Sequence, residues 1–259
     1  MPDGVPAVSA ADARRTERSD TAFALATNIE ERWLYRVGGA SALLLGLGYL
    51  AIFPLYAHVG APPTAADGEV WLAYLADKTE IWWVILVLSV ITDVLFLPVG
   101  LALCLALKRL HSGAMLVATA LIGLFVALDL AVTWTHYASL LSLSASYVSA
   151  TTGGQRSAYV AAASYASAML TSRLLVVYAI AILSSAFLMI GTVMLKGVFN
   201  KPTAYLGIAT GCLGIVAIGG FGVAIILNAV CATIWILLVG YRLRRLAAVG
   251  LEREAPVGI

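Results

Sequence analysis

Charged residues are scarce in this chain of 259 residues, in which Asp, Glu, Lys and Arg together make up 12%. That is about half of the fraction usual in a soluble domain. Hydrophobic residues make up 61%. A soluble fold of this size needs a polar surface, and too little polar material is present to build one. Because lipid solvates an apolar exterior, the composition predicts an all-α, polytopic membrane helical bundle.

Cysteines and catalytic motifs are scarce as well. Cys104, Cys212 and Cys231 lie in apolar runs without a C-x-x-C pair, so neither a disulfide framework nor a zinc site is indicated. The chain contains no G-x-S-x-G, H-E-x-x-H or G-x-x-x-x-G-K-[ST] motif. We therefore expect no cofactor and no metal. A net charge of +2 argues against a nucleic-acid partner.

The N-terminal segment lacks the apolar stretch of a secretory signal peptide. It is polar and is interrupted by prolines and arginines, whereas a cleavable signal has an apolar stretch directly after its first charges. We expect residues 1–28 to form a disordered cytoplasmic tail. Residues 29–246 are then the transmembrane domain, and residues 247–259 form a second cytoplasmic tail.

Six stretches qualify as membrane spans, each of which requires roughly 20 apolar residues. The dipeptide Gly219-Gly220 predicts a tight turn before the last of them. The fifth is the shortest, and one kinked helix in place of the last two would leave five spans. The predicted spans are residues 37–57, 81–107, 112–137, 174–195, 203–218 and 221–241.

The distribution of basic residues predicts the orientation, because short loops rich in Lys and Arg stay in the cytoplasm. With six spans and both termini inside, only Lys78, Arg156 and Arg173 of the 16 basic residues lie outside. Five spans would export Arg242, Arg244 and Arg245 as well. Six spans in the cytoplasmic membrane are therefore favoured.

Two connections on the outer side are long enough to hold structure. In the first, residues 70–75 predict a short interfacial helix with Trp71 and Tyr74 at the level of the lipid headgroups. The second, residues 138–172, predicts either a helix on the outer surface or an extension of the fourth span. On the inner side, residues 27–30 have the spacing of a capping box, which predicts a short helix through Trp33.

Two segments carry a resemblance to a known family. They are ITDVLFLPVGLALCLALKRL at residues 91–110 and LMIGTVMLKGVFNKPTAYLGIATGCLGI at residues 188–215. They resemble a family of six-helix bacterial membrane proteins of unknown function. In that family, a span with a central acidic residue ends in a basic inner loop. The resemblance implies fold and topology only, and the connection between the fifth and sixth spans is unusually short here.

Asp93 is predicted to lie near the bilayer centre, 12 residues into the second span. A charged carboxylate there costs about 2.5 kcal/mol or more, so the side chain should face the bundle interior. With no basic residue at that depth, desolvation favours the neutral acid. Pro98, five residues on, removes one helical hydrogen bond and predicts a kink. Asp93 is either a functional group or one that only fixes helix packing.

A second polar group is predicted in the outer half of the bundle. Asp129, Thr133 and His136 share one face of the third span if it is a regular α-helix. Arg173 either reaches inward to Asp129 or extends outward to the headgroups. Asn228 of the sixth span has a similar depth. We interpret these five residues and Asp93 as candidates for binding a ligand or a proton.

The glycines indicate close helix packing rather than a ligand site. Gly207 and Gly211 form a G-x-x-x-G step, with Gly214 near the same face. No repeat relates the two halves of the chain, which weakens a transporter interpretation.

Three functions remain open at this stage. The chain is a small-molecule or proton binder or carrier; an accessory subunit that contacts lipids, a second copy or a membrane partner; or an intramembrane enzyme using Asp129 and His136. The enzyme ranks lowest because no reaction class follows from the residues.

Overall fold

The computed structural model describes the backbone of residues 10–196, 199–219 and 222–252, and the side chains of residues 31–196, 199–219 and 223–248. Within these ranges the chain is almost entirely helical and contains no strand. The α-helices are α1 (Ala10–Val59), α2 (Gly68–Ala76), α3 (Thr79–Leu128), α4 (Thr135–Ser149), α5 (Gly153–Leu170), α6 (Arg173–Val176), α7 (Ile182–Met194), α8 (Lys201–Ala217) and α9 (Gly222–Glu252), and two segments, Asp129–Trp134 and Val177–Ala181, are π-helical.

Four helical stretches are long and apolar enough to cross a membrane. They are Glu31–Val59, Thr79–Ser149, Arg173–Met194 and Val223–Ala248. The second has 71 residues and contains both the second and the third predicted span. The predicted fifth span corresponds to α8, which has 17 residues and is shorter than these four stretches.

Helix α3 reverses direction at His111. This residue adopts an extended conformation (φ −160°, ψ 83°), and its Nδ1 accepts a hydrogen bond from the backbone N–H of Ala114. The arms on either side pack together: the rings of Phe96 and Phe125 lie 5.7 Å apart, and Gly100 faces Ile122. Each of these pairs is nearly symmetric about residue 111. The long stretch is therefore a helical hairpin, and two of the predicted spans are its arms.

The other helix pairs are antiparallel too. Helix α1 runs against α9, since Gly39 faces Arg244 and Gly46 faces Leu237. Helix α8 runs against α9, since the side chain of Asn228 donates to the carbonyl of Thr210. Helices α7 and α8 are antiparallel as well. Gly191 of α7 lies against the backbone of α8, and Gly211 of α8 lies against Leu188 of α7. An apolar core between these helices is built around the rings of Phe96, Phe125, Phe187 and Trp235.

A second apolar core lies at one end of the bundle, and we call this region the cap. It consists of α2, α4 and α5 with the start of α3. Trp82 stacks on Tyr137 with ring centroids 4.9 Å apart, and the buried hydroxyl of Ser144 donates to the carbonyl of Leu72 at 2.9 Å. Gly68 lies directly against the backbone of α5. The connections predicted to be long outer loops thus fold into a helical layer.

The short helix predicted over residues 70–75 is present as α2, and its Trp71 is only 1% exposed because α4 and α5 cover it. The cap corrects one boundary. The third span was expected to end at Tyr137, but its helix continues through α4 to Ser149. From residue 112 this gives a rod of about 57 Å, nearly twice the hydrocarbon thickness of a bilayer. α5 is a separate helix, because Thr171 and Ser172 end it before α6 begins.

The ends of the chain are also helical where they are described. Helix α1 already begins at Ala10, so no helix starts at the predicted capping box, whose side chains lie outside the described residues. Helix α9 continues to Glu252, past the boundary predicted at residue 246. Residues 253–259 and Gly220 of the predicted Gly-Gly turn lie outside the described residues.

Candidate functional site

A cavity of about 970 Å³ lies within the bundle on the side of the cap. Its walls come from α1, both arms of α3, α7, α9 and both π-helical segments. It extends to exposed residues at the end of α1 and at the start of α9, among them Gly60 and Ile226. Most of the wall is apolar. The polar residues that line it are Tyr49, Tyr56, Ser89, Thr92, Asp93, Asp129, Trp134, Ser184 and Asn228.

Two buried carboxyl groups form the polar centre of the cavity wall. Asp93 is 4% exposed and Asp129 is 6% exposed. The indole N–H of Trp134 donates to Oδ2 of Asp93 at 2.6 Å, and the hydroxyl of Thr133 donates to Oδ1 of Asp129. The two carboxyl groups lie within hydrogen-bonding reach of each other. A carboxylate can only accept, so a bond between them requires a proton on one of the pair.

The α3 hairpin explains why these acids meet. Asp93 lies 18 residues before His111 and Asp129 lies 18 residues after it. Since the arms are antiparallel, residues equidistant from the reversal lie at the same depth. Depth alone does not set the direction of a side chain, but both acids fall on the inner faces of their arms. The two acids were predicted to lie in separate groups, because their equal distance from the reversal is apparent only once the hairpin is taken as symmetric.

Both π-helical segments border the cavity. The first supplies Asp129 and Trp134, and the second supplies Ala179 and Ile180. A π-turn closes i→i+5 hydrogen bonds and is found frequently at functional sites. Here the wider turn also changes which residues share a face, because each residue advances by a smaller angle than in an α-helix.

That change separates the members of the predicted outer cluster. Thr133 is bonded to Asp129, but the ring of His136 lies 5.6 Å from Tyr165 of α5, on the cap side. The π-segment between residues 129 and 136 accounts for the rotation. Arg173 is exposed at the start of α6 and forms no ion pair within the described part of the chain. Asn228 lines the cavity, although its amide donates to Thr210.

The predicted packing residues lie along the contact between α7 and α8. A Cβ atom added at Gly211 would lie 2.7 Å from the backbone nitrogen of Leu188, and one at Gly207 would lie 2.7 Å from Nε1 of Trp235. Gly214 lies against the side chain of Ser184. Gly191 of α7 completes the line, and we call these four residues the glycine seam. Pro98 retains helical backbone angles, so the break in α3 is at His111.

Several cavity residues were missed in the sequence analysis. Ser89 and Ser184 are 5% and 3% exposed and line the cavity, yet their hydroxyls have no hydrogen-bond partner among the described residues. Both residues line the cavity, so their hydroxyls can form hydrogen bonds with a polar group of a ligand there. Trp134, which donates to Asp93, was not among the predicted site residues either. Serines and a tryptophan in apolar spans carry no sequence signal of such roles.

The polar groups on this wall are few and include the two acids. Two acids can hold a proton or a cation, and hydroxyls can donate to or accept from a ligand. Within the described ranges, no three His, Cys, Asp or Glu side chains form a group that could hold a metal ion. No protein-family model matches the chain, and no curated protein or solved structure is found to be similar to it. The resemblance to the six-helix bacterial family stays a prediction.

Proposed function

We propose that this chain crosses the cytoplasmic membrane six times, with both termini in the cytoplasm, and binds a small molecule or proton in the cavity at Asp93 and Asp129. The observation that carries the binding function is the pair of buried acids in the wall of a cavity of about 970 Å³. That volume is at the upper end of the range for small-molecule sites.

The alternation of the helices supports six passes. The hairpins at residue 111, between α7 and α8, and between α8 and α9 each reverse the chain, and α1 runs against α9. Helix α8, at 17 residues, is about 25 Å long, slightly less than the hydrocarbon core. A bilayer accommodates such a mismatch by local thinning. The excess of Lys and Arg on one side supports the orientation.

Cysteine labelling tests this topology. In a background with the three native cysteines changed to alanine, Ala66→Cys and Gly154→Cys should react with a membrane-impermeant thiol reagent added to intact cells. Ser112→Cys and Asn200→Cys should react only after the membrane is permeabilised. All four positions are exposed, so accessibility in the protein does not bias the result. The reverse pattern would overturn the orientation.

An accessory subunit without a ligand is the alternative function. The bond from Trp134 to Asp93 joins the two arms of α3, so the polar centre also has a structural role. That role does not require a cavity beside the bond, or hydroxyls without partners on the cavity wall. An enzyme using Asp129 and His136 has less support, since the ring of His136 lies against Tyr165.

A cavity-filling substitution separates binding from a purely structural role. Ala229→Phe places a ring in the cavity, whereas Leu227→Phe places the same ring on an exposed face of the same helix. The probes are tetraphenylphosphonium, tetraphenylborate and triphenylphosphine oxide, measured by equilibrium dialysis against protein in phosphatidylcholine nanodiscs. At least one should bind saturably to the wild type and to Leu227→Phe, and not to Ala229→Phe. If each of the three probes binds to Ala229→Phe with the same affinity as to the wild type, binding in the cavity is contradicted.

A further inference from the structure

We propose that the cavity takes a lipophilic organic monocation, such as an alkyl- or arylammonium compound, with its positive charge held between Asp93 and Asp129. This inference rests on the proposed binding function and names the class of its ligand. Four features of the cavity support it: its charge, its aromatic rings, its unpaired hydroxyls and its size.

The charge of the cavity wall has one sign. Its only acidic or basic residues, among those the structure describes, are Asp93 and Asp129. When the pair shares a single proton it carries one negative charge, and the wall supplies no cation to balance it. A buried unpaired charge costs several kcal/mol, which a bound monocation would offset. An anionic ligand would meet the same two acids and be repelled.

Aromatic rings line the cavity together with the acids. They belong to Tyr49, Tyr56, Phe96, Phe125 and Trp134, and the indole of Trp134 is bonded to Asp93. The face of an aromatic ring attracts a cation, by about 2 kcal/mol when the pair is desolvated. Ammonium groups are recognised in proteins by acids together with aromatic rings. A neutral ligand would gain no binding energy from the negative charge of the acids.

The size and the mainly apolar wall of the cavity favour an organic cation over a bare metal ion. Ca²⁺ is typical of hard metal ions in requiring six to eight oxygen ligands at close range. Here the two carboxyl groups already accept from Trp134 and Thr133, and the remaining wall is mainly apolar. The hydroxyls of Ser89 and Ser184 are free to accept N–H groups of a ligand. An apolar body attached to the charge would fill the rest of the volume.

Binding of a cation is coupled to protons on the acid pair. When both acids are protonated, a monocation C⁺ binds with release of one proton, so that the pair keeps one proton and one negative charge beside C⁺. The other titratable side chains close enough to interact with the pair are Tyr49, Tyr56, Tyr137 and Tyr178. Tyrosine side chains titrate near pH 10 or above and stay neutral over the range considered. Acidification should therefore weaken binding of the cation.

The three probes in nanodiscs test the ligand class, because two of them match in size and differ in the sign of their charge. Tetraphenylphosphonium should bind at least about tenfold more tightly than tetraphenylborate or triphenylphosphine oxide, after subtraction of uptake by empty nanodiscs. Its affinity should fall about tenfold or more from pH 8 to pH 5, although the probe has no titratable group. In Asp93→Asn/Asp129→Asn, the ratio of cation to neutral-probe affinity should fall to near one.

The outcomes separate the two proposals. If the neutral or anionic probe binds as tightly as the cation, and Ala229→Phe abolishes that binding, the ligand class is overturned while cavity binding stands. If the cation is preferred but the ratio survives Asp93→Asn/Asp129→Asn, the acids do not hold the charge and the inference is overturned. If Ala229→Phe changes no probe, the proposed function itself fails.

Discussion

Helix α7 has two sides that are packed in opposite ways. Toward α8, the glycine seam brings two helix backbones together, so that Gly191 lies against the backbone of residues 204–208. Toward the centre of the bundle, Leu183 and Phe187 of the same helix face the cavity. Close packing on one side of α7 and an open cavity on its other side therefore occur along the same helix. We infer that the cavity is not the result of generally loose packing.

Both π-helical segments border the cavity, which we call the open side; the glycine seam is the closed side. They lie in the parts of the chain that border the cavity, while α8, on the closed side, is a regular helix. A π-turn carries an extra residue within a helix and has poorer hydrogen-bond geometry, so it persists where the surroundings require it. Here the surroundings include the position of Asp129 and Trp134 beside Asp93.

The largest effect is expected on the closed side, from Gly211→Leu. A Cβ atom at this position would lie 2.7 Å from backbone atoms of Leu188 and Ser184, which cannot move aside without separating the helices. We expect a loss of about 3 kcal/mol in the free energy of unfolding. Thermal unfolding in detergent, followed by tryptophan fluorescence, measures it.

Gly123→Leu is the matched control, because no atom lies within 4 Å of a Cβ atom at that position. It should change the unfolding temperature little. Leu213→Ala, on α8 itself, should also cost much less than Gly211→Leu. Equal stability of Gly211→Leu and Gly123→Leu would show that the seam is not a close contact, and the comparison of the two sides would fail.

A smaller effect is expected on the open side, from substitutions of Asp93. Asp93→Leu removes the acceptor of the Trp134 N–H and should cost roughly 1–3 kcal/mol, because a half-buried donor loses its partner. Asp93→Asn keeps an oxygen that can accept this bond and should be close to the wild type in stability. The two variants are compared by thermal unfolding in nanodiscs.

The contrast between the two variants is informative because Leu and Asn are similar in size. Infrared difference spectra of the wild type and Asp93→Asn across a pH titration would show the band of a protonated carboxyl group. We expect that band at neutral pH, since burial disfavours the charged form of a carboxyl group. An Asp93→Asn protein that unfolds as readily as Asp93→Leu would mean that an ionised carboxylate holds the site together.

Much of the fold is predictable from the sequence, for physical reasons that also show where prediction stops. Long apolar stretches and the basic pair Lys108-Arg109 indicate a helical hairpin, and the burial of Asp93 follows from the cost of exposing a charge to lipid. The pairing of Asp93 with Asp129 also follows once the hairpin is taken as symmetric. The helix face on which His136 lies cannot be predicted in this way, because no local pattern of residues indicates a π-turn.

The cap was the least predictable region. Helix α5 is rich in Ala and Ser and has no strong apolar stripe, so its burial depends on what lies next to it. Gly68 of α2 permits the approach of α5, and a single hydrogen bond from Ser144 joins α4 to α2. A contact between segments that are 72 residues apart in sequence cannot be predicted from either segment alone.

The smallest expected effect concerns that hydrogen bond, and it extends the comparison to the cap. Ser144 is fully buried, and Ser144→Ala would leave the carbonyl of Leu72 without this donor, at a cost of about 1 kcal/mol. Ser142→Ala is the matched control, since its exposed hydroxyl bonds only to Ala138 of its own helix and its loss should cost less than about 0.5 kcal/mol. Hydrogen exchange followed by mass spectrometry should show faster exchange in α2 for Ser144→Ala, with α8 unchanged. Because the cap has its own apolar core, separate from that of the bundle, it should loosen without disturbing the glycine seam. Equal acceleration in α2 and α8 would instead show that the cap and the bundle unfold as one cooperative unit.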